Sequence, residues 1–346
     1  MTEIANRGSI APPGNAPAIE PDGTTAASAT RVEAPSAGPA PAPAPPAAGP
    51  DKRYLALRNF AVSISVLNVL GYTVLGFEQP WLWPILAVAA GYVTDLVLET
   101  VSAWAYHRRP GYLGGPRKMV EFLLPAHITA LACNMLVYAN SLLWPVLFTV
   151  VVAVGQKYVL RTMIRGRMRH FMNPSNFGIT VSLLLFSWIS IAPPYEFTEY
   201  AGGFFRWVIP GLILVAGTAI NGMLTGKLPL IAGWVLSFAA QALLRHWFFD
   251  AALVSALAVM TGVAFILFTN YMITDPGTTP VLPRHQFVFG ASVGLVYGIL
   301  MVFNVVYTLF FAVTVVCLLR GLGWTVVSYR RHARQRAAAL TEGTAS

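Results

Sequence analysis

The residues of this chain that could do chemistry are concentrated in a polar segment, 271–286, which reads YMITDPGTTPVLPRHQ. It lies between two long apolar runs, where a bilayer penalises unpaired polar groups. Asp275 and the threonines beside it offer oxygen ligands, which hard cations prefer. The prolines prevent a continuous helix, so several backbone N–H and C=O groups are left free. The segment is therefore either a site that binds or passes something polar or an ordinary cytoplasmic loop.

Two further carboxylates lie inside an apolar run. Asp95 and Glu99, in 94-TDLVLETVSAW-104, are one helical turn apart and share one face of a helix. Two buried carboxylates repel each other unless they are protonated, paired with a base or bound to a cation. Two interpretations stay open, burial against Arg or Lys of a neighbouring span or a pathway for a cation or proton. We predict an ion pathway formed by Asp95, Glu99 and Asp275.

Polar residues also interrupt the predicted third span, 119–138. Pro125 favours a broken or re-entrant helix whose free backbone groups line a cavity. His127 is either a group that titrates near physiological pH or a hydrogen-bonded residue of the bundle interior.

An anion-binding pattern follows the fourth span. Lys157, at the inner end of that span, either extends its amine to the interface or binds a phosphate or carboxylate. A basic loop then leads to Asn173 and Pro174, and we expect Ser175 or Asn176 to cap the next helix. Helix N-termini attract anions, so this pattern predicts a phosphate site.

Composition determines what kind of protein holds these residues. The chain is 56% hydrophobic and 11% charged, with a mean hydropathy of +0.61, which excludes a soluble globular protein. The net charge of +9 comes from short basic clusters between apolar runs, a pattern that sets membrane orientation and does not indicate nucleic-acid binding. The two cysteines form no CxxC pair, so we expect no disulfide framework and no metal site. Dinucleotide-binding and ATP-binding glycine motifs are absent, so the chain does not itself oxidise NADH or hydrolyse ATP.

Apolar runs of about 20 residues predict ten transmembrane helices and an all-α, polytopic fold. Their approximate bounds are 58–77, 81–106, 119–138, 142–160, 175–193, 207–223, 228–245, 251–273, 287–303 and 305–326. With these spans the basic loops fall on one side and the acidic loops on the other. The positive-inside rule then predicts a multi-pass protein of the cell membrane with both termini in the cytoplasm.

The rest of the chain divides around this membrane domain. Residues 1–50, rich in Ala and Pro, predict a disordered cytoplasmic tail. Residues 51–326 form the predicted ten-helix domain, and 327–346 a basic cytoplasmic tail.

Taken in order, these motifs resemble a known family, that of the B subunit of sodium-pumping NADH:quinone reductase and the D subunit of the Rnf ferredoxin:NAD oxidoreductase. The resemblance runs from about 51 to 326. The motifs that carry it are Glu99 followed by the basic loop to Arg109, Lys157, Asn173-Pro174 with Gly178, and 272-MITDPGTTP-280. The last of these is the most specific.

The resemblance implies a bundle of two five-helix repeats that carries flavin and takes part in redox-linked cation transport. Because each repeat has an odd number of spans, the two are inverted. Glu99 and Asp275 match acids of the family that are associated with cation movement. The predicted cofactor-binding residues are Lys157, Asn173, Asn176, Thr278 and Thr279.

One departure from the family concerns flavin attachment. The family binds FMN covalently through a threonine of a Ser-Gly-Ala-Thr motif, and the corresponding stretch here is 221-NGMLTGKLPL-230. The acceptor position holds Leu228 or Lys227, depending on the alignment, and neither side chain has the hydroxyl that a phosphoester needs. We therefore predict no covalent flavin, and non-covalent FMN or riboflavin instead.

Three functions remain to be separated. The first is a flavin-binding membrane subunit that relays electrons to other redox subunits; the long Ala/Pro tail and the missing acceptor are similar to stand-alone homologues from enediyne biosynthetic clusters. The second is a transporter of a cation or small molecule without redox chemistry. The third is a membrane scaffold whose basic inner face docks cytoplasmic enzymes.

Overall fold

The chain is an all-α membrane protein. The computed structural model describes residues 52–164, 166–193, 197–198 and 201–343. The predicted tail 1–50 lies outside these residues. In chain order the helices are α1 (Lys52–Leu70), α2 (Trp83–Ala105), α3 (Pro116–Leu136), α4 (Trp144–Val159), α5 (Pro174–Leu185), α6 (Phe205–Ile220), α7 (Leu228–Phe249), α8 (Leu253–Ala258), α9 (Val263–Leu267), α10 (Pro283–Val302) and α11 (Thr308–Gly343).

Short strands and tight helical turns complete the secondary structure. Strand β1 (Val137–Tyr138) pairs with β4 (Ser190–Ile191), and β2 (Arg161–Ile164) pairs with β3 (Arg167–His170), both antiparallel. Helices α1, α6 and α9 each continue into a π-helical turn, Gly71–Leu75, Asn221–Thr225 and Phe268–Met272, and α8 continues into a 3-10 turn, Val259–Thr261.

Within the described residues, seven helices are long and apolar enough to cross a membrane, and α8 with α9, bent by 62°, makes an eighth if the pair is one span. The predicted fourth and fifth spans correspond to α4 and α5, which have 16 and 12 residues. A full span needs about 20 residues, so these two helices are short for a crossing. The count of ten therefore stays a prediction.

One sequence expectation about a helix needs correction. Helix α3 runs through Pro125 without a break, and the expected interruption is wrong. Proline is tolerated in a membrane helix when neighbouring helices hold it, and the residues from Ala126 to Leu136 are packed inside the bundle. At the other end of the chain, the predicted boundary between the membrane domain and the basic tail, at 326, falls inside the continuous helix α11, and the boundary stays a prediction.

Helix α2 shows how the sequence produces the packing. Its buried residues recur at every fourth position and are Trp83, Ala87, Gly91, Asp95, Glu99 and Ala103. This spacing keeps them on one stripe of the helix, while Ile85, Val93, Val97 and Val101 on the opposite side are exposed. The stripe carries both acids into the interior.

Small residues bring α7 and α10 into backbone contact. A Cβ placed on Gly290 would overlap the carbonyl of Leu230, and one on Gly233 would overlap the carbonyl of Phe287. Gly294 and Gly298 continue this stripe along α10 at a spacing of four residues. Membrane helices associate closely through such residues because lipid supplies no hydrophobic force between them.

The two halves of the chain share local features. The π-helical turns after α1 and α6 are each closed by a left-handed glycine, Gly76 and Gly226. Each is followed by a helix with proline in its first turn, at Pro84 and Pro229. The packing also corresponds, because α2 contacts α4 and α4 contacts α5, as α7 contacts α10 and α10 contacts α11.

Candidate functional site

The polar segment forms a loop between the π-helical turn that ends at Met272 and the start of α10 at Pro283. Side chains from three other elements bind its backbone carbonyls. Asn173 Nδ2 donates to the Met272 carbonyl at 2.7 Å, and Lys227 Nζ donates to the Pro280 carbonyl at 2.7 Å. A guanidinium nitrogen of Arg320, on α11, donates to the Thr278 carbonyl. Carbonyls that the sequence left free for a ligand are thus bound by protein donors.

Asp275 organises the interior of this loop. Its Oδ2 accepts from the Thr278 hydroxyl at 2.7 Å, and its Oδ1 accepts from the Gly277 N–H at 3.2 Å. The Thr279 hydroxyl donates to the backbone carbonyl of Asp275 at 2.6 Å. Asp275 therefore acts as a turn-forming aspartate, and both threonine hydroxyl protons are engaged within the loop.

Beside this loop lies a cavity of about 770 Å³. Its walls come from the β2–β3 hairpin, the loop, the first half of α10 and the middle of α11. The polar lining residues are Arg167, Arg169, His170, Thr278, Thr279, His285, Ser292 and Arg320, and the apolar ones include Val288, Phe289, Val296, Val316, Leu319 and Trp324. The basic groups lie toward the loop and the hairpin, and the apolar residues continue along α10 and α11.

The charge of the cavity is strongly positive. No Asp or Glu belongs to its described lining, whereas three arginines and two histidines do. Helix α10 begins at Pro283, and Val281 and His285 on either side of that start line the cavity, so the positive end of the helix dipole adds to the field. Such a site favours an anion with an apolar portion.

Two titratable groups outside the spans border this region. Burial lowers the pKa of Lys227 to about 8; the carboxylate of Asp275 opposes this shift, and the charge of Arg320 adds to it. Burial also lowers the pKa of His170, again against the effect of Asp275. Both groups therefore carry their positive charge less readily than the same residues in water.

The predicted ion pathway has a different geometry. Asp95 is buried on α2 and pairs with Lys157 of α4, with Nζ 3.1 Å from Oδ2. The hydroxyl of Tyr158 donates to Oδ1 at 2.8 Å. Asp95 thus has a cation partner from a neighbouring helix, as one of the two interpretations expected.

Glu99, one turn further along α2, has a separate partner. Arg108 binds both carboxylate oxygens, at 2.5 and 2.9 Å, and the Gly111 N–H donates to Oε1 at 2.7 Å. The loop after α2 folds back over the acid to make these contacts. Each carboxylate is neutralised by the protein, and conduction of an ion past them stays a prediction.

The other predicted cofactor residues divide between two roles. Asn173 is itself the N-cap of α5 and accepts from the Asn176 N–H at 3.2 Å, so the expectation that Ser175 or Asn176 caps this helix is wrong. Asn176 Nδ2 donates to the Phe310 carbonyl at 2.7 Å and joins α5 to α11. Of the predicted set, only Thr278 and Thr279 line the basic cavity.

His127 belongs to a closed hydrogen-bond chain in the first half. Its Nε2 lies 2.8 Å from Ser65 Oγ, and its Nδ1 lies 2.9 Å from the Tyr92 hydroxyl. Ser65 Oγ donates to the Ala61 carbonyl, so it must accept from Nε2, and Nδ1 then accepts from Tyr92. This is the neutral tautomer with both nitrogens paired, which fits the hydrogen-bonded interpretation.

Sequence reasoning missed most of the cavity's basic residues. Arg320 gave the clearest signal, because it stands in an apolar run, 308–328, where a charged residue indicates a function by default. Arg167, Arg169 and His170 belong to the basic stretch that leads to Asn173, which the sequence assigned to a phosphate site at the start of the next helix and not to a cavity beside the loop 271–286. Their alternation is visible only once 161–170 folds as a hairpin.

The stretch 221–230, which the resemblance aligns with a flavin attachment motif, lies against the same region. Lys227 is buried and engaged with the Pro280 carbonyl, and Leu228 is the exposed first residue of α7. The hydroxyl of Thr225 donates to the Asn221 side chain at 3.1 Å.

A comparison with models of known protein families gave no match, and a comparison with curated proteins gave none either. The resemblance to the reductase-subunit family therefore rests on the motifs quoted above and stays a prediction.

Proposed function

We propose that the chain is a multi-pass membrane subunit of a redox-linked transport system and holds FMN non-covalently in the basic cavity. The observation that carries the proposal is the cavity itself, whose lining combines Arg167, Arg169 and Arg320 with apolar residues of α10 and α11. Ligand pockets for small molecules typically measure about 300–1,000 Å³, and this one lies within that range.

The residues present fit such a ligand at both ends. Arg167 and Arg169 supply guanidinium donors at the exposed rim for a phosphate. Trp324 and the buried ring of Phe289 supply apolar surface for a planar ring system. A bound flavin supplies electron transfer, and the chain's own groups bind it, orient it and limit the access of water.

Support for the redox setting comes from the resemblance and from the likeness of the two halves. Both halves begin with a helix, a π-helical turn, a left-handed glycine and a proline-started helix. This likeness supports two repeats of five helices. Five is an odd number, so the repeats would be inverted in the membrane.

The proposal includes the location and partners predicted from the sequence. Contacts join the basic hairpin, the polar loop and α11, since Asn173 donates to the Met272 carbonyl and Thr162 of the hairpin bonds Thr325 of α11 at 2.9 Å. These segments are proposed to lie on the cytoplasmic side of the cell membrane, where other redox subunits would dock. A role in enediyne production rests on the resemblance alone.

An anion site is favoured over cation transport because of how the acids are used. Asp95 and Glu99 are each paired with a cation, and both oxygens of Asp275 accept hydrogen bonds within the loop. A hard cation requires oxygen ligands that are free to turn toward it.

FMN titration of the detergent-purified chain, followed by flavin fluorescence, tests the proposal. The double variant Arg167→Ala/Arg169→Ala should lower the affinity at least about tenfold, because each charge-assisted hydrogen bond is worth roughly 1.5–3 kcal/mol. Arg330→Ala, an exposed change on α11 away from the cavity, is the matched control and should leave the affinity unchanged. Equal affinity in the double variant and the wild-type chain, or no binding by either, would contradict the proposal.

A further inference from the structure

His170 stands where the hairpin meets the loop. It is the last residue of β3, is half-buried and lines the cavity. Its Nε2 lies 3.1 Å, and Asp275 Oδ2 3.4 Å, from the point where a Cβ on Gly277 would be. Among the described residues, no group forms a hydrogen bond with the imidazole. Both ring nitrogens therefore lack a hydrogen-bond partner among these residues.

The charges around His170 come from four elements. Asp275 of the loop favours the imidazolium, whereas Lys157 of α4, Arg161 of β2 and Arg169 of β3 oppose it. Burial acts in the same direction as the three cations, and the pKa of His170 is lowered. At neutral pH without a ligand the imidazole is thus uncharged.

An anion in the cavity reverses this balance. A phosphomonoester carries two negative charges above its second pKa of about 6. Placed among Arg167, Arg169 and Arg320, it offsets the repulsion that keeps His170 neutral. An opposite charge within hydrogen-bonding reach favours the charged imidazole, which then donates to the phosphate.

We propose that His170 is the specificity-determining residue of the cavity, which selects a phosphomonoester dianion by taking up a proton as the ligand binds. This inference rests on the proposed function, since it concerns the same site. It separates FMN from riboflavin, which has no phosphate, and from dinucleotides, whose phosphates are diesters.

His285 provides an internal comparison. It lines the same cavity but lies exposed to water at the start of α10, where the charge of a ligand is strongly screened. Bound phosphate therefore changes its environment far less than that of His170.

Calorimetric titration of the full chain with FMN, in two buffers of different ionisation enthalpy at a pH of about 7.5, measures the protons taken up. The wild-type chain and His285→Gln should take up a substantial fraction of one proton. His170→Gln should take up none and bind FMN about tenfold more weakly, by loss of one charge-assisted hydrogen bond. His170→Arg, which supplies a permanent charge, should bind FMN without proton uptake. Riboflavin should give no uptake with any variant.

The possible failures are distinguishable. If FMN binds but the wild-type chain takes up no proton, or if His170→Gln retains the uptake, the role of His170 is wrong and the proposed function stands. If FMN binds at no pH, both are wrong. Uptake that disappears instead in His285→Gln would assign the role to the other histidine.

Discussion

The two charged regions of this molecule use their charges in opposite ways. In the first half, Asp95 forms an ion pair with Lys157, and Glu99 forms one with Arg108, both within hydrogen-bonding distance. In the other region, the arginines of the β2–β3 hairpin face a cavity whose described lining holds no carboxylate. The first region has its charge balanced by the protein, whereas the second has an excess that a ligand can balance.

The difference explains why residue type alone misleads. Asp275 looks like a cation ligand in the sequence, but its carboxylate holds the loop together. Arg320 is a charged residue in an apolar run of the sequence, but its guanidinium donates to the Thr278 carbonyl of the loop. The guanidinium carbon also lies over the ring of Phe289, 5.9 Å from the ring centroid. What a charged group can do depends on which of its hydrogen-bonding positions are already occupied.

The largest expected effect comes from removing Lys157, the cation partner of the buried Asp95. Lys157→Met leaves the carboxylate of Asp95, only 2% exposed, without its cation, and the chain should lose about 3–5 kcal/mol of stability. Thermal unfolding in detergent measures this loss. Asp95→Asn combined with Lys157→Met should recover most of it, because no charge is then stranded. If Lys157→Met were as stable as the wild-type chain, the Lys157 cation would not stabilise the buried Asp95 carboxylate.

The next effect concerns what holds the second half together. Gly290→Ala puts a methyl group against the Leu230 carbonyl and should reduce stability by about 1–3 kcal/mol. Gly323→Ala is the matched control, since a Cβ on Gly323 of α11 meets nothing within 4 Å. Equal melting temperatures for the two variants would argue against backbone contact between α7 and α10.

A smaller effect concerns the negative charge of Asp275 beside the cavity. Asp275→Asn keeps an oxygen that can accept from the Gly277 N–H or the Thr278 hydroxyl but removes the negative charge nearest His170 and Lys227. FMN affinity should rise a few-fold, because less negative charge opposes the phosphate. Weaker FMN binding that sodium restores would support the predicted cation pathway through Asp275 instead.

The smallest effect is the pH dependence of the ligand-free chain. His170 has a lower pKa in the folded than in the unfolded chain, so the folded state binds fewer protons. Its contribution is constant above the unfolded value of about 6.5, and stability falls as the pH drops below that value. His170→Gln should make the decline in melting temperature shallower on acidification, and saturating FMN should do the same. An unchanged slope in His170→Gln would show that the histidine titrates normally.

Much of the fold could be predicted because long apolar runs identify membrane helices in the sequence. The buried stripe of α2 and the break between Met272 and Pro283 follow from local spacing and from proline chemistry. The N-cap at Asn173 could also have been predicted, since proline prefers the first helical position and Pro174 marks the residue before it. Pro125 misled because its cost is decided by neighbouring helices that the local sequence does not show.

The candidate site was less predictable because it is assembled from distant segments. His170 and Gly277 are separated by more than a hundred residues, and only the folded hairpin brings Arg169 to the loop. The partners of the buried acids were equally hidden, since Lys157 could have turned to the interface. Hydrogen bonding is a property of the folded chain, and it gives each of the three predicted acids a protein partner.

The central claim is that the basic cavity holds FMN without a covalent bond. The most direct measurement is the visible absorption spectrum of the protein purified with FMN present, followed by flavin fluorescence in a denaturing gel. We expect a bound-flavin spectrum in the native protein. We expect no fluorescent band after denaturation, because neither Lys227 nor Leu228 can form the phosphoester. A fluorescent band that survives denaturation, or a native protein that carries no flavin with FMN in excess, would contradict the claim.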